Sequence, residues 1–442
     1  MSNKKSILKH LDDFIQQKAL NLRKLAKLTD INAGTLSAIF NKKKVFTVEQ
    51  LDRITSVMNL PEGHFYCLYI HEYLSNTTPD WRRVRPFLYR CMELDKLDCI
   101  EKIIELLMES LMYLSLLFET AEDFFLQGKV EAAALLFENI ASSEKYQHSE
   151  RLAYCQYRLF LINQGTDQEQ NYQAAIQFEH YVSRLDEIDQ LDALKDLGNT
   201  YRSMRRWSQV YKVAVTLNNL ARAQYSMSHH NKRKRHESYK KPSRPLFFYI
   251  AYSNMLIGAV YYEQENYELA LQIAKKSTNL DWIIETDEET LRWKNQFQEW
   301  AQANVYLTQL MTGDTEALAK YVRFIKLRAN ELLTGLWNIM IAANRYKIDV
   351  DHILNEFEAE ILSLQEQAGN EFNNQQITDD QIVGLLSELA DYYLLSGKYE
   401  KGIWYMSEWM KKSTIINDER SISRYTRLYD HFRNLTITRI DA

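Results

Sequence analysis

Six cations and a set of small polar side chains stand close together near the start of this 442-residue chain. Arg23, Lys24 and Lys27 fall within one short helical stretch, and Lys42, Lys43 and Lys44 directly follow the next. Between the two groups lie Asn32, Ala33, Gly34, Ser37 and Asn41, all small or polar. Cations so placed suit phosphate contacts, which fix the register of a protein on a duplex, while Asn and Ser side chains at the surface of a short helix can reach base edges in a major groove. The chemistry expected is recognition of double-stranded DNA.

Such residues need helices to hold them. Over 22–41 the apolar positions Leu22, Leu25 and Ala26, then Leu36 and Ile39, mark two short helices. Thr29-Asp30-Ile31 forms the turn, and Ile31 is expected to plug the small core between them. A preceding helix is expected from about Lys5 to Lys18, with Ile7, Leu8, Leu11, Phe14 and Ile15 inward. Thr47 followed by Gln50 reads as a capping box, opening a helix with Val48, Leu51, Ile54 and Met58 on one stripe. Pro61 is expected to start another short helix. Five helices in about 60 residues, with the two-helix motif second and third, resemble the DNA-binding domain of the Xre and phage-repressor family. The sequence departs from that family at Asp30, where Gly is usual; Asp tolerates the left-handed backbone that the turn requires.

Composition sets the frame for the rest. Only 12 Gly and 5 Pro occur, which favours long helices over the many turns of a sheet fold. Twenty-eight Tyr, 18 Phe and 8 Trp supply large knobs for packing helix pairs. Residues 1–44 hold ten Lys and Arg against three Asp, a net of +7, so with −5 for the whole chain the remainder carries −12. A basic head on an acidic body directs phosphate to the head alone. Cys67, Cys91, Cys99 and Cys155 form no close pair in sequence, so free buried thiols are expected, with no metal and no cofactor. Met1–Lys5 is polar, and the longest apolar run, Leu111–Phe118, is far short of the ~20 residues that span a bilayer. A cytoplasmic protein without a membrane partner is the expectation. No Walker loop, His-Glu-x-x-His or nucleophile elbow occurs, so an enzyme is not expected.

A second pattern repeats through the body. Leu197-Gly198, Tyr201, Trp207 and Val210 share a spacing with Ile257-Gly258, Tyr261, Tyr267, Ala270 and Ala274, and again with Leu389-Ala390, Tyr393, Gly397-Lys398-Tyr399 and Gly402. Gly128, Ala133 and Phe137, and Tyr172, Ala175 and Ile176, give partial copies. The spacing is that of a tetratricopeptide unit, in which small residues let two helices cross closely and aromatics fill the next groove. On the inner face of such units stand Asn199, Arg202, Asn254, Tyr262 and Asn304; carboxamides can clamp a peptide backbone and Arg can take a carboxylate. The basic segment Ser228–Pro245 reads as a solvated loop, with contact to DNA or an acidic partner as the other reading.

The fold class expected is therefore all-α: an N-terminal five-helix helix-turn-helix domain over 1–70, a linker over 71–90, and a degenerate tetratricopeptide-repeat solenoid over 91–442. This architecture resembles the RRNPP group of peptide-sensing transcriptional regulators, which includes the phage arbitrium receptors. The resemblance implies a homodimer that binds a DNA operator through its heads and a short signalling peptide through its repeats, as in quorum sensing. For the dimer contact, the segment Asp379–Leu435 offers Trp404, Trp409, Tyr425 and Tyr429. A second class stays open: an adaptor that sequesters a response regulator or another protein through its repeats.

Overall fold

The computed structural model describes residues 5–75, 78–145, 149–230, 240–364, 375–418 and 421–429. Among these the protein is all-α, with no strand, and it divides into two compact units, Met1–Ile162 and Asn163–Ala442.

The first unit holds α1 (Ile7–Gln17), α2 (Leu22–Thr29), α3 (Ala33–Phe40), α4 (Val48–Val57), α5 (Tyr66–Tyr69), α6 (Trp81–Glu93), α7 (Leu97–Met108), α8 (Leu114–Leu126), α9 (Val130–Ser143) and α10 (Glu150–Ile162). Leu25, Ile31, Leu36 and Ile39 are buried where α2 and α3 meet, and Leu11, Leu51 and Ile54 close the core from either side. Thr47 and Gln50 form the reciprocal capping box that opens α4. Asp30 ends α2 at φ 51°, and Arg53 of α4 donates to its carbonyl (2.8 Å) and carboxylate (3.1 Å), holding the turn in place of a glycine. Pro61 opens a turn and not a helix; the fifth helix starts at Tyr66 and widens into a π turn at Ile70–Leu74. From that turn Glu72 accepts from the Ile7 amide, which ties the start of α1 to the end of the bundle.

The described part of the segment expected as a linker, 71–75 and 78–90, is largely helical. Asp80 caps α6, and Val84, Phe87 and Leu88 are fully buried. Thr78-Pro79 and the Arg pair 82–83 suggest a solvated break, but the apolar stripe at 84, 87 and 88 outweighs them. Phe87 lies 4.8 Å from the Tyr66 ring and 5.1 Å from the Tyr69 ring, centre to centre. Arg90 reaches Asp52 (2.9 Å), Glu62 (3.3 Å) and Glu93 (2.8 Å), and Tyr66 donates to the same Asp52. The five-helix head is thus bolted to α6.

The second unit holds α11 (Gln168–Glu179), α12 (Glu187–Ser203), α13 (Trp207–His230), α14 (Leu246–Glu263), α15 (Tyr267–Ser277), α16 (Glu288–Met311), α17 (Glu316–Lys326), α18 (Leu332–Tyr346), α19 (Asp351–Glu356), α20 (Glu358–Leu364), α21 (Gln375–Leu395) and α22 (Tyr399–Ile415). Helices 12, 14, 16, 18 and 21 form an inner series, each packed on the next, and α21 packs back on α12. Helices α13, α15, α17 and α22 lie outside them as second members of helical hairpins. Gly258 brings α14 against α15, where an added Cβ would stand 3.3 Å from Ile273. Gly402 does the same for α21 and α22, with Leu394 only 2.6 Å away.

Five hairpins across the two units share one turn. The three-residue turns 94–96, 127–129, 204–206, 264–266 and 396–398 each place their middle residue in the left-handed region: Asp95, Gly128, Arg205, Glu265 and Gly397. The next amide in each donates to a carbonyl five residues back, as Arg206 does to Tyr201 and Lys398 to Tyr393, both at 2.9 Å. This is the Schellman closure of a helix, and it satisfies carbonyls that a helix end leaves orphaned. Three of the five middle residues are not Gly, which shows how so few glycines suffice.

One buried acid makes stability pH-dependent. Glu331 precedes α18 and is 6 % exposed. Burial pushes its carboxyl from the ordinary 4.5 up to about 7; Glu299 adds to the rise, while Trp300, Arg328 and Gln296 oppose it. A carboxyl whose folded pKa is raised stabilises fully below the unfolded value and loses that contribution as pH climbs through the folded one. Glu331→Gln should therefore leave stability unchanged near pH 4 and raise it at pH 8 by up to about 3 kcal/mol. Urea unfolding at the two pH values measures this; equal gains at both would assign the effect to packing.

Candidate DNA interface and ligand cavity

In the first unit the residues singled out for DNA contact lie at the surface. Arg23, Lys24, Lys27, Asn32, Gly34, Asn41, Lys42, Lys43 and Lys44 are exposed, and Ala33 and Ser37 are half-buried. None of the six cations makes an ion pair among the described residues, so their charge is left to solvent or to an anion. Asn32 is the N-cap of α3, its Oδ1 accepting from the Gly34 amide at 2.8 Å. Its carboxamide oxygen is thereby engaged, leaving the NH2 group as the outward hydrogen-bonding end. Asn41 ends the same helix and lies 3.5 Å from the Ser37 hydroxyl. Lys42 comes next at φ 55°, a bend that carries the lysine run away from the helix axis.

In the second unit a cavity of about 140 Å³ opens between the inner helices. All five contribute: Arg202 from α12, Tyr262 from α14, Asn304 from α16, Trp337 and Asn338 from α18, and Asp380 and Gln381 from α21. Three of the five peptide-contact residues expected from sequence, Arg202, Tyr262 and Asn304, thus line one space. Asn254 lines a neighbouring cavity of about 260 Å³, which shares Met255, Ile273 and Ser277 with the first as a common wall. Asn254 also accepts from Asn218 at 3.0 Å. Asn199 lines neither; its Oδ1 accepts from the Tyr252 hydroxyl.

The charges of the main cavity are arranged unequally. Arg205 pairs with Asp380 at 3.4 Å and lies 4.8 Å over the Trp337 ring. Burial works against its charge, but Asp380, Glu263 and Asp418 outweigh it and hold the guanidinium protonated. Arg202 lies beside the Tyr252 hydroxyl and makes no ion pair among the described residues. Among the described residues the buried Tyr262 hydroxyl has no hydrogen-bond partner, and burial drives its pKa well above 10. A neutral phenol left unsatisfied at a cavity wall is costly until something completes it.

Sequence reasoning missed Arg205, Trp337, Asn338 and Asp380. Arg205 sits at a turn position, and the other three lie on α18 and α21, 130 or more residues along the chain, where no local spacing ties them to α12. The expected dimer anchors divide. Trp409 is fully buried, donates to the Ser421 hydroxyl at 3.1 Å and packs on Tyr425, so it is a core residue. Trp404 and Tyr429 are exposed. Residues 231–239 of the basic segment, and 419–420 and 430–435 of the dimer segment, lie outside the described residues. Among the described residues no helix is long and apolar enough to cross a membrane.

No protein-family model matches the sequence, and no curated protein matches it significantly.

Proposed function

We propose that the protein is a DNA-binding regulator, acting in the cytoplasm as a homodimer, whose second unit binds a short peptide that alters operator binding. The observation that carries this reading is the central cavity, into which five inner helices bring carboxamides and, among the described residues, an Arg without an ionic partner and a phenol without a hydrogen-bond partner. Arg202 suits a peptide's C-terminal carboxylate or an acidic side chain, and Asn304 and Asn338 suit its backbone. The cavity is open to solvent on one side, so an extended chain can enter it while its polar lining meets the backbone. On the head, six unpaired cations flank α3, the element that would enter a major groove. A ligand that touches all five inner helices favours one ring geometry over others, which is what a population shift requires.

Two experiments test the two halves. Replacing Lys42, Lys43 and Lys44 together by Ala should weaken binding to all duplex DNA alike and lower the slope of log K against log salt by about 3, one per lost phosphate contact. Gel-shift titrations over a salt series read this directly, and an unchanged slope would place the DNA elsewhere. For the cavity, synthetic peptides of about five to ten residues with free C-termini are screened by calorimetry. Arg202→Ala should weaken the best of them by roughly ten- to a hundredfold, the loss of one charge-assisted hydrogen bond. DNA binding by the ligand-free variant should be intact. A chain that binds no peptide but holds another protein tightly would instead be the adaptor.

A further inference from the structure

Three cysteines that are far apart in sequence come together in the first unit. Cys67 lies on the single turn of α5, Cys91 near the end of α6, and Cys99 in the first turn of α7. The sulfur of Cys67 stands 3.6 Å from that of Cys99 and 3.3 Å from Oδ2 of Asp98. The Cys67 and Cys99 sulfurs and an Asp98 oxygen all lie within 4.8 Å of one another. Cys67 and Asp98 are exposed, Cys99 is buried, and the wholly buried Cys91 neighbours Cys99. Lys102, one turn along α7, places its ammonium 3.3 Å from the Cys67 sulfur and 3.5 Å from Asp98.

We infer that Cys67, Cys99 and Asp98 form a zinc site that staples the last helix of the head to α7. The spacing suits zinc. In a tetrahedral zinc site with Zn–S of about 2.3 Å and Zn–O of about 2.0 Å, two sulfurs stand about 3.8 Å apart and a sulfur and an oxygen about 3.5 Å. Two of the three edges, 3.6 and 3.3 Å, match those lengths, and the third, Cys99 to Asp98, lies within 4.8 Å, so a turn of the Asp98 carboxylate would close the set. Charge balances as well. Two thiolates and a carboxylate carry −3; the metal supplies +2 and Lys102 the remaining +1. The Lys102 ammonium is also placed to donate to the Cys67 thiolate, the outer-sphere support that metal-bound sulfur usually has. Donor softness agrees: two sulfurs with one oxygen select zinc over magnesium or calcium. Cys67 and Asp98 are exposed, so a water can supply the fourth ligand. The protons released from the two thiols on binding pass to solvent.

The test uses the full chain, reduced with a phosphine and stripped of metal. Cobalt(II) is titrated as the probe, because thiolate ligation gives a charge-transfer band and tetrahedral geometry gives intense visible absorption. Wild type should take up one equivalent of cobalt, and zinc should bleach it. Cys67→Ser replaces an exposed side chain, so its helicity should be retained while cobalt affinity falls by a hundredfold or more. Lys102→Gln should lose about tenfold, in line with other outer-sphere partners, and Cys155→Ser should bind as wild type does. Zinc should also raise the melting temperature of wild type and not of Cys67→Ser. Equal cobalt affinity in wild type and Cys67→Ser overturns the assignment. So does a reduced wild type that takes up no cobalt, and one that instead forms a Cys67–Cys99 disulfide on mild oxidation makes the pair a redox couple.

Discussion

Phe87→Ala should destabilise the first unit by about 3–5 kcal/mol, the usual cost of deleting a wholly buried aromatic ring. Phe87 is fully enclosed between α6 and the rings of Tyr66 and Tyr69, so little solvent can enter and the cavity left behind cannot collapse easily. The loss is expected to be local in kind. Amide hydrogen exchange should rise first over 66–74 and 81–93, because those backbones meet at this ring. Phe87→Leu, which keeps most of the volume, should cost far less. If α6 were a tether and not a strut, chemical unfolding of Phe87→Ala would match wild type within about 1 kcal/mol, and the head would be mechanically independent of α6 and α7.

The second large effect is expected at the α21–α22 hairpin. Asp379 is 2 % exposed and pairs with Lys412 at 2.6 Å, with Gln375 donating to the same oxygen at 3.0 Å. Lys412→Met keeps the aliphatic stem but strands the carboxylate inside the protein. Breaking a buried pair from one side costs about 3–5 kcal/mol, most of it the penalty of the unpaired charge. The double variant Lys412→Met with Asp379→Asn should therefore recover most of the loss. Denaturant unfolding of the two single variants and the double variant closes the cycle. If the double variant is no better than Lys412→Met alone, packing of the Lys412 stem, and not charge, is what the site needs.

Much of the local architecture was legible along the chain. The capping box at Thr47 and Gln50 and the stripes that bury Leu25, Leu36 and Ile39 arise from neighbours three or four residues apart. The hairpins at Gly258 and Gly402 were legible because small residues at a crossing leave a mark in sequence; Gly198 instead lets α12 meet Leu256 of α14. The hairpin of α6 and α7 was not, because its turn is made by Asp95 and its apolar stripe sits behind two arginines and a proline. The cavity was legible in part. Arg202, Tyr262 and Asn304 come from a repeat pattern that places them on inner helices, whereas Trp337 and Asp380 reach it only through packing of distant helices. Asn199 shows the limit of such reasoning: its position on α12 is an inner one, yet its side-chain oxygen serves Tyr252. The cysteines show the same limit, since spacing along the chain gives no hint that α5 and α7 lie side by side.

The return of α21 to α12 changes how the second unit can form and fail. Gln168 donates its amide to the Ile416 carbonyl at 3.0 Å, Asn417 bonds Asp167 across 250 positions, and Arg205 meets Asp380 across 175. An open stack of hairpins gains stability one neighbour at a time and frays from its ends. Here the two ends are each other's neighbours. The hairpins are local and can nucleate early, while the seam that joins them waits for a loop of most of the unit to close, a late and slow event set by contact order. Once closed, the inner helices from α12 to α21 have no free end from which to unravel, so their unfolding should proceed as one cooperative step and not as a progressive peeling.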